Sequence, residues 1–345
     1  MKRQCGAARG KTRFGTIARL LGSFCIACSA FAAQGTELVS SASSLPARPA
    51  PTSPASPRAS APAPEPEPMF AAPTRLDRTG RILAPVMING QGPYRMIVDT
   101  GASHSTLSSE LAQALGLVPS DEYSLVLNGV TGTARVQGVL IERLQAGDIS
   151  LKRARIPVVT SALMAGADGV LGIAGLDTTH IYVDFRKDRV VITRKSKDEL
   201  HPSALIHGTR IRDGLFAIDA RVLRVRALAI IDTGAERSLG NLALRDAVRK
   251  QLKEADGMLQ AAEVTGVTTD IAAGEAGAAP PITIGNGVKV DNIPVTYGDF
   301  HIFKVWNLEK RPAMIIGMDV LGLVDAFEID FSKAQMRIMT RNMRD

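Results

Sequence analysis

A short motif that occurs twice constrains this chain more than any other feature. Arg95-Met96-Ile97-Val98-Asp99-Thr100-Gly101-Ala102 returns as Leu228-Ala229-Ile230-Ile231-Asp232-Thr233-Gly234-Ala235. Two later landmarks repeat in the same order. Gly169-Val170-Leu171-Gly172 matches Met314-Ile315-Ile316-Gly317, and Ile181-Tyr182-Val183-Asp184-Phe185 matches Phe327-Glu328-Ile329-Asp330-Phe331. Asp99 precedes Gly172 by 73 residues and Asp232 precedes Gly317 by 85, so the second copy is longer by about a dozen residues. Three landmarks at near-matched distances mark a duplication, which governs every local reading that follows.

Each copy reads as β structure. Runs rich in Val and Ile end in turn residues, as in Val86-Met87-Ile88-Asn89-Gly90 and Ile282-Thr283-Ile284-Gly285-Asn286-Gly287. A helix is expected after each aspartate motif, over Ser109–Leu115 with Gly116 as its stop, and over Leu242–Leu252. The expected fold is all-β: two tandem β-barrel lobes, 76–196 and 203–341, related by a pseudo-two-fold axis with a cleft between them. The polar stretch Lys195–Pro202 joins them.

The N-terminus has a different character. A basic stretch to Arg19, an apolar run from Leu20 to Ala33 and Ala30-Phe31-Ala32 have the layout of a secretory signal over residues 1–33. Ile26-Ala27-Cys28 also resembles the end of a bacterial lipoprotein signal, with Cys25 where an aliphatic residue is usual, so lipidation at Cys28 stays open. Residues 34–75 form a linker rich in Pro, Ala and Ser that lacks the apolar surface to offset ordering. Such a composition is expected to act as an extended spacer. The formal charge of +7 owes six basic residues to the first 28 positions. The remainder is nearly balanced and has no basic cluster interleaved with aromatics, which argues against nucleic acid as a partner. All three cysteines fall in the leader, and His201, His207 and His301 lack metal-ligand spacing. No metal or cofactor is expected.

The motif itself carries the chemistry. A carboxylate at the end of a buried Ile-Val-Asp or Ile-Ile-Asp strand is fixed in place and partly removed from water. The glycine allows a sharp turn where a β-carbon would clash. The threonine hydroxyl is available to cross-link to the facing copy, and the small Ala permits close approach. Should the copies face each other, Asp99 and Asp232 meet. Two adjacent carboxylates cannot both ionise, so they share a proton and can divide general-base and general-acid work on a water molecule.

Asp-Thr-Gly twice, each followed by an apolar-apolar-Gly, resembles the aspartic peptidases over about residues 78–341. Asp-Thr-Gly-Ala and Ile-Ile-Gly-Met-Asp-Val-Leu look closer to bacterial retropepsin-like proteins than to pepsin, which usually has Ser after Asp-Thr-Gly. The resemblance implies retropepsin- or pepsin-like lobes. It makes Asp99 and Asp232 the catalytic pair and Thr100, Gly101, Thr233 and Gly234 its support, with Gly172 and Gly317 in the crossed strands beneath. It also implies mobile hairpins over the cleft, with candidates Gly129-Val130-Thr131-Gly132 and Val264-Thr265-Gly266, and an extended protein or peptide substrate. Two copies in one chain point to a monomer with intramolecular pairing, exported to the periplasm or envelope of a bacterium and touching the membrane only through its leader.

Two functions of different class fit these residues. One is an aspartic endopeptidase; the other is a peptide-binding or assembly module of the cell envelope that keeps the fold with little or no turnover. The segments after the motifs differ, Ser103-His104-Ser105 against Glu236-Arg237-Ser238, and the charged Glu236-Arg237 fits either contact with a substrate backbone or an ion pair between copies, of which the ion pair is the expectation. Because Ala102 and Ala235 bring no hydroxyl to the carboxylates, the expected pH optimum is less acidic than pepsin's.

Overall fold

The segments that carry the two motifs pair several of their strands in corresponding ways and contribute strands to one sheet. The structure, a computed structural model, describes residues 72–73, 80–160, 164–176, 178–194, 202–252, 259–268 and 270–340. All of these fall within one contact unit, Ala63–Asp345. The predicted signal segment with Cys28, all of the linker except its last strand, and the connection 195–201 lie outside the described residues.

The first copy runs β1 (Ala72–Pro73), β2 (Leu83–Ile88), β3 (Gln91–Val98), β4 (Thr106–Ser108), α1 (Ser109–Ala114), β5 (Ser120–Asn128), β6 (Thr133–Ala146), β7 (Ile149–Val159), β8 (Gly169–Leu171), β9 (His180–Asp184) and β10 (Arg189–Thr193). Asn89 and Gly90 both take positive φ, 51° and 82°, the conformation an Asn-Gly pair accepts at low cost in a two-residue hairpin. That turn sets β2 antiparallel to β3. β2, β3, β8, β4, β7 and β6 then pair in sequence, and a β2–β6 pairing closes them into a six-stranded barrel. Ser108 caps α1 by accepting from the Leu111 amide at 3.0 Å, and Gly116 ends it at φ 66°.

The second copy runs β11 (Ala204–Arg210), β12 (Phe216–Val222), β13 (Val225–Ile231), β14 (Leu239–Asn241), α2 (Leu242–Leu252), β15 (Gln260–Thr265), β16 (Ile271–Ala278), β17 (Ile282–Ile284), β18 (Val288–Val290), β19 (Pro294–Gly298), α3 (His301–Val305), β20 (Ala313–Ile316), α4 (Met318–Leu321), β21 (Ala326–Asp330) and β22 (Gln335–Met339). Its pairings follow the first copy's. β13–β20 is parallel like β3–β8, β14–β20 antiparallel like β4–β8, and β14–β19 parallel like β4–β7. Helix α2 occupies the span expected from sequence. The extra length falls in two places, α2 with the residues after it and the connection from β19 to β20 that carries α3.

The closing strands of the copies pair with each other. β9 lies antiparallel to β21, with Ile181 opposite Ile329, and β1, β10, β9, β21, β22 and β11 form one continuous run of strands. Alternation gives this sheet two faces. Val183, Ile181, Phe327, Ile329, Met336 and Ile338 are buried on one. Full burial of each side chain contributes about 1.5–3 kcal/mol. His180, Tyr182, Asp184, Glu328 and Asp330 alternate with them on the other.

Candidate active site

Strands β3 and β13 each end at an aspartate, and each aspartate is tied to the strand beside it. The Asp99 amide donates to the Leu171 carbonyl and the Asp232 amide to the Ile316 carbonyl, both at 3.0 Å. Gly172 and Gly317 come directly after β8 and β20 instead of inside them, a small correction to the expected placement. The reason is crowding at the strand ends. A β-carbon on Gly172 would lie 2.6 Å from the His104 carbonyl, and one on Gly317 would lie 2.8 Å from the Ala235 carbonyl. The chains there cross too closely for any larger residue. Ser105 and Ser238 each accept from the amide of the glycine below, at 3.1 Å, which binds the loop after each aspartate to the end of its neighbouring strand.

The threonines join the copies. Thr100 Oγ1 donates to the Ile231 carbonyl at 2.7 Å and accepts the Thr233 amide at 3.1 Å. Thr233 Oγ1 donates to the Val98 carbonyl at 2.6 Å and accepts the Thr100 amide at 3.1 Å. Both residues are completely buried. Four hydrogen bonds across the two copies therefore hold the ends of β3 and β13 side by side.

Asp99 and Asp232 are brought together as a result, and their carboxyl groups hydrogen-bond to each other. Gly101 and Gly234 make this possible: a β-carbon on Gly101 would collide with the Asp232 carboxyl, and one on Gly234 with that of Asp99. Asp99 Oδ1 accepts the Gly101 amide at 2.8 Å, and Asp232 Oδ1 accepts those of Gly234 and Ala235 at 2.9 and 3.0 Å. Burial raises both groups above the ordinary carboxylate range. Asp232 is driven well above it because the Asp99 charge adds to burial, whereas the Gly101 amide partly offsets the shift at Asp99. Two carboxyls in such contact titrate as a coupled pair and not as independent groups. Such a pair can withdraw a proton from one atom while delivering one to another.

The first expected hairpin tip, Gly129-Val130-Thr131-Gly132, lies between β5 and β6. The second is displaced: Val264 and Thr265 belong to β15, because pairing continues to Thr265 opposite Ile271, and the tip starts at Gly266. The tips touch. Thr131 Oγ1 and Thr268 Oγ1 are 2.9 Å apart, and a β-carbon on Gly129 would stand 3.0 Å from Val267. Glu236 and Arg237 are exposed, and neither joins an ion pair among the described residues, contrary to expectation. Their main chain has the structural role, since the Glu236 carbonyl accepts the Asp319 amide at 3.2 Å.

Sequence reasoning missed Asp319. Its carboxylate accepts from the Ser238 hydroxyl at 2.7 Å and the Ser238 amide at 2.9 Å. The position two residues after Gly172 in the first copy is Ala174, so this clamp serves Asp232 alone. The available signal was the acidic residue of Gly317-Met318-Asp319 where the first copy has Gly172-Ile173-Ala174.

Residues 84–174 match the family model described as aspartyl protease, a span holding Asp99 and Gly172. No curated protein matches the chain.

Proposed function

We propose that this chain, a member of the aspartic peptidase family through its first copy, is an endopeptidase that hydrolyses peptide bonds between Asp99 and Asp232. Its two copies act as tandem lobes about a pseudo-two-fold axis. The observation that carries the reading is the reciprocal Thr100–Thr233 network, which sets two partly buried carboxyls against each other within one chain. The β9–β21 register supports the axis. Exchanging the copies turns the pair Asp184–Ala326 into Asp330–His180, and both pairs occur.

In this mechanism the ionised member of the pair takes a proton from a water molecule, whose oxygen attacks the scissile carbonyl carbon. The protonated member donates to the carbonyl oxygen, giving a neutral tetrahedral diol. Collapse returns a proton from a diol hydroxyl to the pair and transfers one to the leaving nitrogen. The C–N bond breaks to give a carboxylic acid and an amine, with no covalent intermediate and no metal in the sequence of steps.

The substrate on this reading is an extended polypeptide whose backbone pairs with the hairpins β5–β6 and β15–β16. The enzyme is exported, works as a monomer at a bacterial envelope, and uses the Pro-rich segment as a spacer. Incubating the purified protein with a complex peptide library from pH 3 to 8, with products read by mass spectrometry, tests the function. Cleavage by the wild type and none by Asp99→Asn is expected. Peptide capture without cleavage at any pH would instead identify a binding module.

A further inference from the structure

Helix α3 lies in the connection of residues 299–312, where the first copy has the shorter connection 160–168. It is firmly anchored. Ile302 and Phe303 are buried, and the Phe303 ring meets Trp306 edge-on at 6.1 Å and Phe300 at 6.4 Å. The Asn241 side-chain amide donates to the Leu308 and Arg311 carbonyls, both at 2.7 Å, which fixes the far side of the connection.

This rigid element touches both hairpins. Phe300 lies beneath β16, where a β-carbon on Gly274 would stand 3.3 Å from its ring. The next residue, His301, reaches the other copy, and its Nε2 is 2.7 Å from Thr133 Oγ1 at the start of β6. The Thr133 hydroxyl donates its one proton to Asn128 Oδ1 at 2.8 Å. It can therefore only accept from His301, which fixes His301 as the Nε2–H donor. Among the described residues, the first hairpin is hydrogen-bonded to the second copy at Thr131, with Thr268, and at Thr133, with His301.

We propose that α3 is a shared anchor for the two hairpins and that His301 is a positioning residue that latches the first of them shut. Its effect on catalysis rests on the peptidase reading above; the latch itself does not. Opening the first hairpin breaks the His301–Thr133 bond, whereas the second hairpin stays supported by Phe300. The hairpins are thus unequal, and substrate enters by release of the first. The inequality originates in the added length of the second copy.

Hydrogen–deuterium exchange on the whole protein tests this without reference to activity. Loss of one hydrogen bond of ordinary strength corresponds to about a 5- to 10-fold change in an opening equilibrium. Amides of residues 127–134 are expected to exchange faster by about that factor in His301→Ala and Thr133→Val. His301→Gln, whose side-chain amide can donate from a similar position, is expected to restore slow exchange. With a cleavable peptide, His301→Ala is expected to raise KM several-fold and leave kcat within about twofold. Unchanged exchange in His301→Ala, or equal acceleration in His301→Gln, would overturn the latch even if the protein cleaves peptides. Absence of cleavage with the expected exchange pattern would leave the latch standing and count against the peptidase reading.

Discussion

Thr100 and Thr233 hold the site by exchange: each donates its hydroxyl to the main chain of the opposite copy and accepts the opposite threonine's amide. The ends of β3 and β13, and with them the two aspartates, are thereby tied to each other across the copies. Replacing either threonine by Val leaves a buried carbonyl and a buried amide without their partner, at a cost of about 1–3 kcal/mol. Thr100→Val and Thr233→Val are expected to show that loss in denaturant unfolding and to lose activity. Thr→Ser, which keeps the hydroxyl, is expected to retain most of both. Stability unchanged in the Val variants would count against the network.

The dyad should cost stability as pH rises. Asp232 is raised well above the ordinary carboxylate value in the folded protein, so its contribution is fully present below that value and is lost as pH climbs towards the folded value. Each unit of upward shift corresponds to about 1.4 kcal/mol. Asp232→Asn removes the ionisation, and it is expected to melt above the wild type near neutral pH. The advantage should vanish below the ordinary carboxylate range. Melting curves at several pH values would check this, and a variant less stable than the wild type at pH 7 would contradict it.

The shared sheet has the opposite dependence. Burial alone would raise Glu328, but hydrogen bonds from His180 at 3.1 Å and Arg337 at 2.8 Å bring it below its ordinary value. Burial likewise opposes Asp330, which the Ser332 hydroxyl and Lys333 amide bring below its ordinary value. A depressed carboxylate contributes stability above its unfolded value and loses it as pH falls through the folded one. Glu328→Gln is expected to destabilise by about 2 kcal/mol at neutral pH, below the usual cost of breaking a buried pair because Arg337 keeps some solvent contact. The deficit should shrink in acid. A pH-independent deficit would show that packing, not charge, was lost.

Asp319 gives the second copy a clamp that the first lacks. Asp319→Ala frees the Ser238 hydroxyl and amide, loosening the loop behind Asp232. Small displacements of a catalytic group lower turnover steeply, and a fall in kcat of about 10- to 100-fold is expected, with KM little changed. An unaltered kcat would mean that Gly317 and the threonine network suffice.

The sequence made the site legible because the site is duplicated. Asp99, Thr100 and Gly101, with their counterparts, carry identical local chemistry in both copies, and the aspartates end apolar strands that have one reading. The bounds of α2 were equally legible, from a helical run ending near Leu252. Pairing between β9 and β21 was not, because an apolar strand such as Ile181–Phe185 pairs equally well within its own copy. His301 and Thr133 are 168 residues apart, and nothing local in either announces the other. The expected ion pair of Glu236 and Arg237 failed for a related reason: charge identifies a residue that can pair, not where the turn directs it.

The central claim is that Asp99 and Asp232 form one catalytic unit. Peptide-cleavage rates for Asp99→Asn, Asp232→Asn and the double variant test it most directly, because groups that act as a unit are non-additive. Each single substitution is expected to abolish turnover by about the same factor, and the double variant to lose nothing further. Cleavage that survives in either single variant, or losses that multiply in the double, would contradict it.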